Sequence, residues 1–254
     1  LDHGLAPDWL TLVTDVPAAL NHQITAGDID ISPISAAYYA MHHRELLLLP
    51  DFSISCHGPV MSVICAANFP LDALTGKTVM FSRESATGAA FLKMIFARRG
   101  VVPDFRVGPV GDINAIPQEV DAVMVIGDAA LTQPWKHRFS YCFDLGQIWY
   151  EMMHLPFVFA VWVVRRSYAA AHPQRVALAR ELLVASREAG YANLDAVIAE
   201  GQAKLGLDRQ VVAAYYDRLF CDLDPLKIKA MTCFFDALYQ QKMLASPAEI
   251  SFFR

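Results

Sequence analysis

At 254 residues the chain has room for one large domain or two small ones. With 55% hydrophobic and 19% charged residues it fills a globular core and is no disordered segment. A net charge of −5, with Lys and Arg spread thinly, argues against a nucleic-acid surface, and pairs such as Arg165-Arg166 read as solvated element ends. Five cysteines, odd in number and in no C-x-x-C pair, argue against a secreted disulfide framework and for a reducing, cytoplasmic setting. No stretch of 18 apolar residues occurs and LDHGLAPDW lacks the pattern of a signal peptide, so no membrane insertion is expected.

Trp9 to Thr14 (WLTLVT) reads as a strand, and Pro17 to Ala26 as a helix with Asp15 near its cap and Gly27 at its stop. Asp28 to Ser35 follows as a short strand, with Ser35 placed to cap a helix to about His42. LLLLP is a further strand ending before Asp51. This β-α-β-α-β order predicts a parallel sheet. Gly58-Pro59 opens an apolar run, Val60 to Ala67. Leu74 to Ser82 gives a turn and strand, then a helix runs to Gly100 and Ala122 to Leu131 a strand entering a helix start. Asp144 onward is an amphipathic helix feeding a second apolar run, Leu155 to Val164, too short to span a bilayer and suited to a central strand buried on both faces. Helical spacing then covers Pro173 to Ala189, Leu194 to Leu205, Asp208 to Phe220 and Pro225 to Leu244.

The two apolar runs bracket an α/β insert, Phe69 to Met153. A chain that leaves one lobe, builds a second and returns predicts a two-lobed α/β binding fold. The expected lobes are residues 1–67 with 164–254, and residues 68–163, with the runs as crossover strands.

No H-E-x-x-H, G-x-S-x-G, G-x-G-x-x-G or zinc-type Cys/His spacing occurs. Gly76-Lys77-Thr78 resembles the tail of a phosphate loop, but Leu71 stands where that motif needs Gly, so a turn into a strand is the better reading. His57, beside Gly58 in a loop, is the one histidine singled out. The stronger signal is a set of hydroxyls and amides at strand ends and helix starts: Ser35, Gly58, Ser62, Ser85, Thr87, Gly88 and Gly127-Asp128. Amides at a helix start bind carboxylate or phosphate, although any one of these residues alone reads as a cap.

SCHGPVMSV (Ser55 to Val63), AVMVIGDAAL (Ala122 to Leu131) and DLGQIWYEMMHLPFVFAVWVVRR (Asp144 to Arg166) resemble signature segments of the chorismate dehydratase family of the futalosine route to menaquinone. GDIDISPIS (Gly27 to Ser35) and TVMFSRESATGAAFLKMIF (Thr78 to Phe96) are similar as well. The resemblance implies a fold like type II periplasmic binding proteins, with the site between the lobes. It implies loss of water from chorismate, a dianion, to give 3-[(1-carboxyvinyl)oxy]benzoate, with no metal or organic cofactor. Ser62 is then expected as the catalytic residue, and Ser35, Gly58, Ser85, Thr87, Gly88 and Asp128 as substrate ligands. The family's Ser-Arg-Thr-Ser helix start is Ser85-Ala86-Thr87-Gly88 here, and His57 stands where an acidic residue is common. The sister dihydroxynaphthoate synthase family carries a His-Glu pair where this chain has Gly127-Asp128, which argues against that activity. A non-catalytic binder of a small carboxylated or aromatic solute is the alternative from another class.

Overall fold

The structure is a computed structural model that describes residues 7–82 and 86–254. In chain order the first elements are α1 (Pro17–Ala26), β1 (Ile31–Ser35), α2 (Ala36–His42), β2 (Leu46–Cys56), β3 (Val63–Ala67) and β4 (Thr78–Phe81). Then come α3 (Ala86–Arg99), β5 (Asp104–Val107), β6 (Ala122–Ile126), α4 (Gly127–Thr132), α5 (Trp135–Arg138), β7 (Tyr141–Asp144), α6 (Leu145–Met153) and β8 (Phe157–Arg165). The remainder is helical: α7 (Arg166–Ala171), α8 (Pro173–Ala192), α9 (Leu194–Leu205), α10 (Arg209–Arg218) and α11 (Pro225–Gln240).

The strands form two sheets, one of three strands in the order β1-β8-β2 and one of five in the order β5-β4-β6-β3-β7. The apolar run at the end of the signature segment is central in its sheet, as its composition requires. It separates β1 from β2 and runs antiparallel to both. The parallel sheet expected from the first β-α-β-α-β units is therefore corrected. A strand that can bury both faces takes the centre, and it comes from more than a hundred residues downstream.

Two further expectations are corrected. Residues 10–16 form no strand, because they pair with no sheet and leave Leu12 and Val13 exposed. They lie instead across a groove of about 580 Å³ from the outer edge of β1, over a floor that includes Trp162 and Tyr168. The strand expected to stop before Asp51 resumes and continues to Cys56. Pro50 has no amide to donate and Asp51 takes a left-handed φ of 73°, so the pair β2–β8 shifts register between Leu48 and Ser53 without ending.

The two apolar runs fall in different sheets. The run ending at Ala67 pairs within the five-stranded sheet, and Phe157–Arg165 lies wholly in the three-stranded one. The chain changes sheet in residues 57–62 and again through α6 and residues 154–156, rather than along either apolar strand. We propose lobe boundaries at these two crossovers. One continuous apolar core spans both sheets, taking Ile34 and Leu48 from the first and Val63, Val79 and Met124 from the second.

The helical tail is tied back to β2. Ser53 and Ser55 donate their hydroxyls to the carbonyls of Asp222 and Phe220, and Lys227, 7% exposed, pairs with Asp222 at 2.7 Å and Asp224 at 2.8 Å. Burial opposes the Lys227 charge, but the hydrogen bonds to the two carboxylates outweigh it and hold the ammonium above its usual pKa. Burial likewise pushes the Asp224 carboxyl up, and the bonds from Lys227 more than reverse this, leaving it below the usual range. A depressed carboxyl stabilises the fold above its unfolded pKa, about 3.9, and loses that contribution as pH falls through the folded value. The raised Lys227 contributes fully below about 10.4 and loses its share as pH rises through its folded value. Asp224 is 43% exposed, so solvent screening limits the effect to roughly 1 kcal/mol or less. The Tm of Asp224→Asn is accordingly expected to fall below wild type at neutral pH, with the gap closing as both are titrated into acid.

Candidate functional site between the two sheets

The first crossover is built by two left-handed residues and one carboxylate. Gly58 has φ 94° and Met61 φ 66°. Asp144, which caps α6, accepts the N–H of Val60 at 3.0 Å from both oxygens, of Met61 at 2.6 Å and of Gln147 at 3.1 Å. A side chain on Gly146 would put its Cβ 2.5 Å from the Gly58 carbonyl and 2.6 Å from Cys56 Sγ, so only glycine lets α6 approach the crossover this closely. Trp149, one turn on, is fully buried and donates its indole N–H to the Pro156 carbonyl at 2.9 Å, in the second crossover. The D-L-G-x-x-W pattern thus joins one passage between the sheets to the other.

Ser62 leaves this crossover buried, with 6% of its surface exposed, and its carbonyl accepts the Gly127 N–H at 2.8 Å. Its hydroxyl faces the Tyr215 phenol of α10. Burial pushes that phenol above its usual pKa, the neighbouring Ser62 hydroxyl opposes the rise, and Tyr216 and Asp128 add to it. Asp128 itself is exposed and meets Lys204 of α9 at 3.4 Å. So α9 and α10 reach across to the carboxyl end of β6 and to Ser62. A crevice of about 530 Å³ adjoins this place, lined by Ser82, residues 108–112 and Ile126 at the carboxyl ends of β4, β5 and β6. Ligands of open α/β sheets collect at such ends.

A second group lies where α2 meets α3. Thr87, buried, accepts the Ala37 N–H at 3.1 Å and donates to the Phe159 carbonyl at 2.8 Å, so one hydroxyl links α3 to α2 and to β8. Ser35 precedes α2 without capping it through its side chain, and its amide donates to buried Asn21 at 3.1 Å. Gly88 is buried beside Thr87 on α3. Ser85 lies outside the described residues. His57 is exposed and stands edge-on to the Tyr150 ring at 4.9 Å.

The expected residues therefore form two groups, Ser62 with Gly127-Asp128 and Ser35 with Thr87 and Gly88, while Gly58 shapes the crossover. Tyr215, Asn21 and the clamp role of Asp144 escaped the sequence reading. A phenol in a helix over a hundred residues away from Ser62 leaves no local signal. Asn21, a polar residue on the inner face of α1, left a weak one.

A sequence profile of the family described as menaquinone biosynthesis matches residues 2–240. A chorismate dehydratase from Thermus thermophilus is 32% identical over 232 residues, covering 85% of this chain and 82% of the relative. The chain belongs to this menaquinone-biosynthesis family. Among solved structures, protein AF1704 from Archaeoglobus fulgidus superposes with a TM-score of 0.70 at 19% identity, over 96% of this chain and 91% of that one. The periplasmic aliphatic sulphonate binding protein from Escherichia coli gives 0.62 at 15% identity, over 93% and 79%. At these identities the likeness shows the fold: a mixed α/β, two-lobed architecture of the periplasmic-binding-protein kind. Among the described residues, no helix is long and apolar enough to cross a membrane.

Proposed function

We propose that this chain removes water from chorismate to give 3-[(1-carboxyvinyl)oxy]benzoate in menaquinone biosynthesis, acting in a reducing, cytoplasmic setting. The observation that carries this reading is the 32% identity to a chorismate dehydratase over most of both chains. In the reaction a ring C–H proton and the ring hydroxyl leave together as water and the ring becomes aromatic. The enzyme's task is then mainly to bind two carboxylates and to orient the departing hydroxyl. Ser62 is the proposed catalytic residue, its hydroxyl directed at the leaving oxygen and backed by Tyr215. Gly58, Ser35, Ser85, Thr87 and Gly88 are proposed to line the substrate, and Asp128 to position it. A carboxylate of the substrate takes the ring proton and passes it to the departing hydroxyl, which leaves as water, and no metal or organic cofactor enters the scheme.

The resemblance of the fold to a sulphonate-binding protein favours a second reading, a non-catalytic binder of a small anionic solute. One incubation separates the two. With chorismate, the wild-type protein is expected to release a product lighter by one water, detected by mass spectrometry, and Ser62→Ala to turn over roughly 10- to 100-fold more slowly. Chorismate that binds but returns unchanged, beside an active dehydratase under the same conditions, rejects the enzyme and leaves the binder. Full turnover by Ser62→Ala removes that residue from the site.

A further inference from the structure

We infer that Asp144 is the positioning residue of this site: its carboxylate fixes the crossover backbone at Met61 and thereby places the Ser62 hydroxyl. Four hydrogen bonds converge on that one side chain, from the amides of Val60, Met61 and Gln147. Met61 is not glycine, yet its φ of 66° lies in the left-handed region. Such a conformation persists where the surroundings over-determine it, and the bond from its own amide to Asp144 does so here. On the other side, the Ser62 carbonyl is held by the Gly127 N–H. Ser62 is thus fixed between two bonds contributed by different elements, the α6 cap upstream and the β6–α4 turn downstream.

Gly146 completes the device. Without a Cβ it lets the Gly58 carbonyl lie against α6, which brings residues 60 and 61 within reach of the carboxylate. The two-residue spacing of Asp144 and Gly146 follows from this: one residue binds the crossover and the other makes room for it. That Ser62 acts on chorismate rests on the function proposed above. That Asp144 holds Ser62 does not.

Asp144→Asn keeps the shape but turns one acceptor into an NH₂ that faces amide donors. The matched control is Asp121→Asn, whose carboxylate accepts the Thr78 N–H at 2.9 Å at the other end of the same sheet. Amide hydrogen exchange of the peptide spanning residues 57–63 is expected to quicken by about 10-fold or more in Asp144→Asn and to stay at the wild-type rate in Asp121→Asn. Unchanged exchange in Asp144→Asn overturns the inference. In chorismate turnover, kcat is expected to fall about 10-fold or more with KM within about threefold, and the Asp144→Asn/Ser62→Ala pair to be no slower than Ser62→Ala alone. Full kcat in Asp144→Asn, or losses that multiply in the pair, also overturn it. If the wild-type protein leaves chorismate untouched, the proposed function fails and the exchange experiment alone decides on Asp144. Should Asp144→Asn not fold, Asp144→Glu, which keeps the acceptors but displaces them, takes its place under the same criteria.

Discussion

Gly146→Ala is expected to lose about 3 kcal/mol of folding free energy and roughly 6–12 °C in Tm. The added methyl would sit 2.5 Å from the Gly58 carbonyl and 2.6 Å from Cys56 Sγ. Cys56 is buried and the carbonyl is backbone, so neither can turn aside; the crossover itself would have to shift. That shift would pull the amides of Val60 and Met61 away from Asp144, adding lost hydrogen bonds to the steric cost. Gly190→Ala is the control. It lies inside α8 with nothing within 4 Å of an added Cβ, so it should gain about 0.5–1 kcal/mol from helix propensity. Denaturation of the two variants beside wild type checks the sign of both effects. A Gly146→Ala protein as stable as wild type would mean that α6 and the crossover do not pack as described.

Trp149→Ala should lose still more, about 3–5 kcal/mol. The indole is fully buried among Phe91, Phe157 and Phe234, with ring centroids 5.6, 4.9 and 5.9 Å away. Those three rings come from α3, β8 and α11, so the cavity left by the substitution would open where the two lobes and the tail share one core. Trp149→Phe separates the two contributions of the residue. It keeps most of the apolar volume but leaves the buried Pro156 carbonyl without its donor, at a cost of about 1–3 kcal/mol. Thermal melts that rank the three proteins wild type, Trp149→Phe, Trp149→Ala support this packing, and a Trp149→Ala melt within 2 °C of wild type rejects it.

Much of this architecture was legible because local rules and global packing agree. Leu194–Leu205 and Pro17–Ala26 end at glycines in left-handed conformation, and both helices stop where the glycine predicts. The continuous apolar run in β8 announced a strand buried on both faces, and it is central. Legibility ended where a remote partner decides. Leu10 to Thr14 has strand composition but no sheet edge takes it up, and Pro50-Asp51 has the chemistry of a stop but serves as a bulge within β2. The candidate site follows the same division. Ser62 and Thr87 stand out as hydroxyls near strand ends and helix starts, but Tyr215 and the Phe159 carbonyl, which define their surroundings, lie far off in sequence. The clamp in D-L-G-x-x-W was visible as a pattern, whereas its purpose depends on a crossover more than eighty residues upstream.

Two of the cavities differ in what they imply. The groove beside β1 is apolar-floored and lies away from Ser62, whereas the crevice at the strand ends adjoins the Gly127 turn that holds it. A crystal structure with 3-[(1-carboxyvinyl)oxy]benzoate bound distinguishes them. The product is expected between the two sheets, within hydrogen-bonding distance of the Ser62 hydroxyl and close to Gly127. Product held only in the groove lined by Leu10, Ile31 and Trp162, with Ser62 untouched, would contradict the assignment of the chemistry to the junction of the lobes.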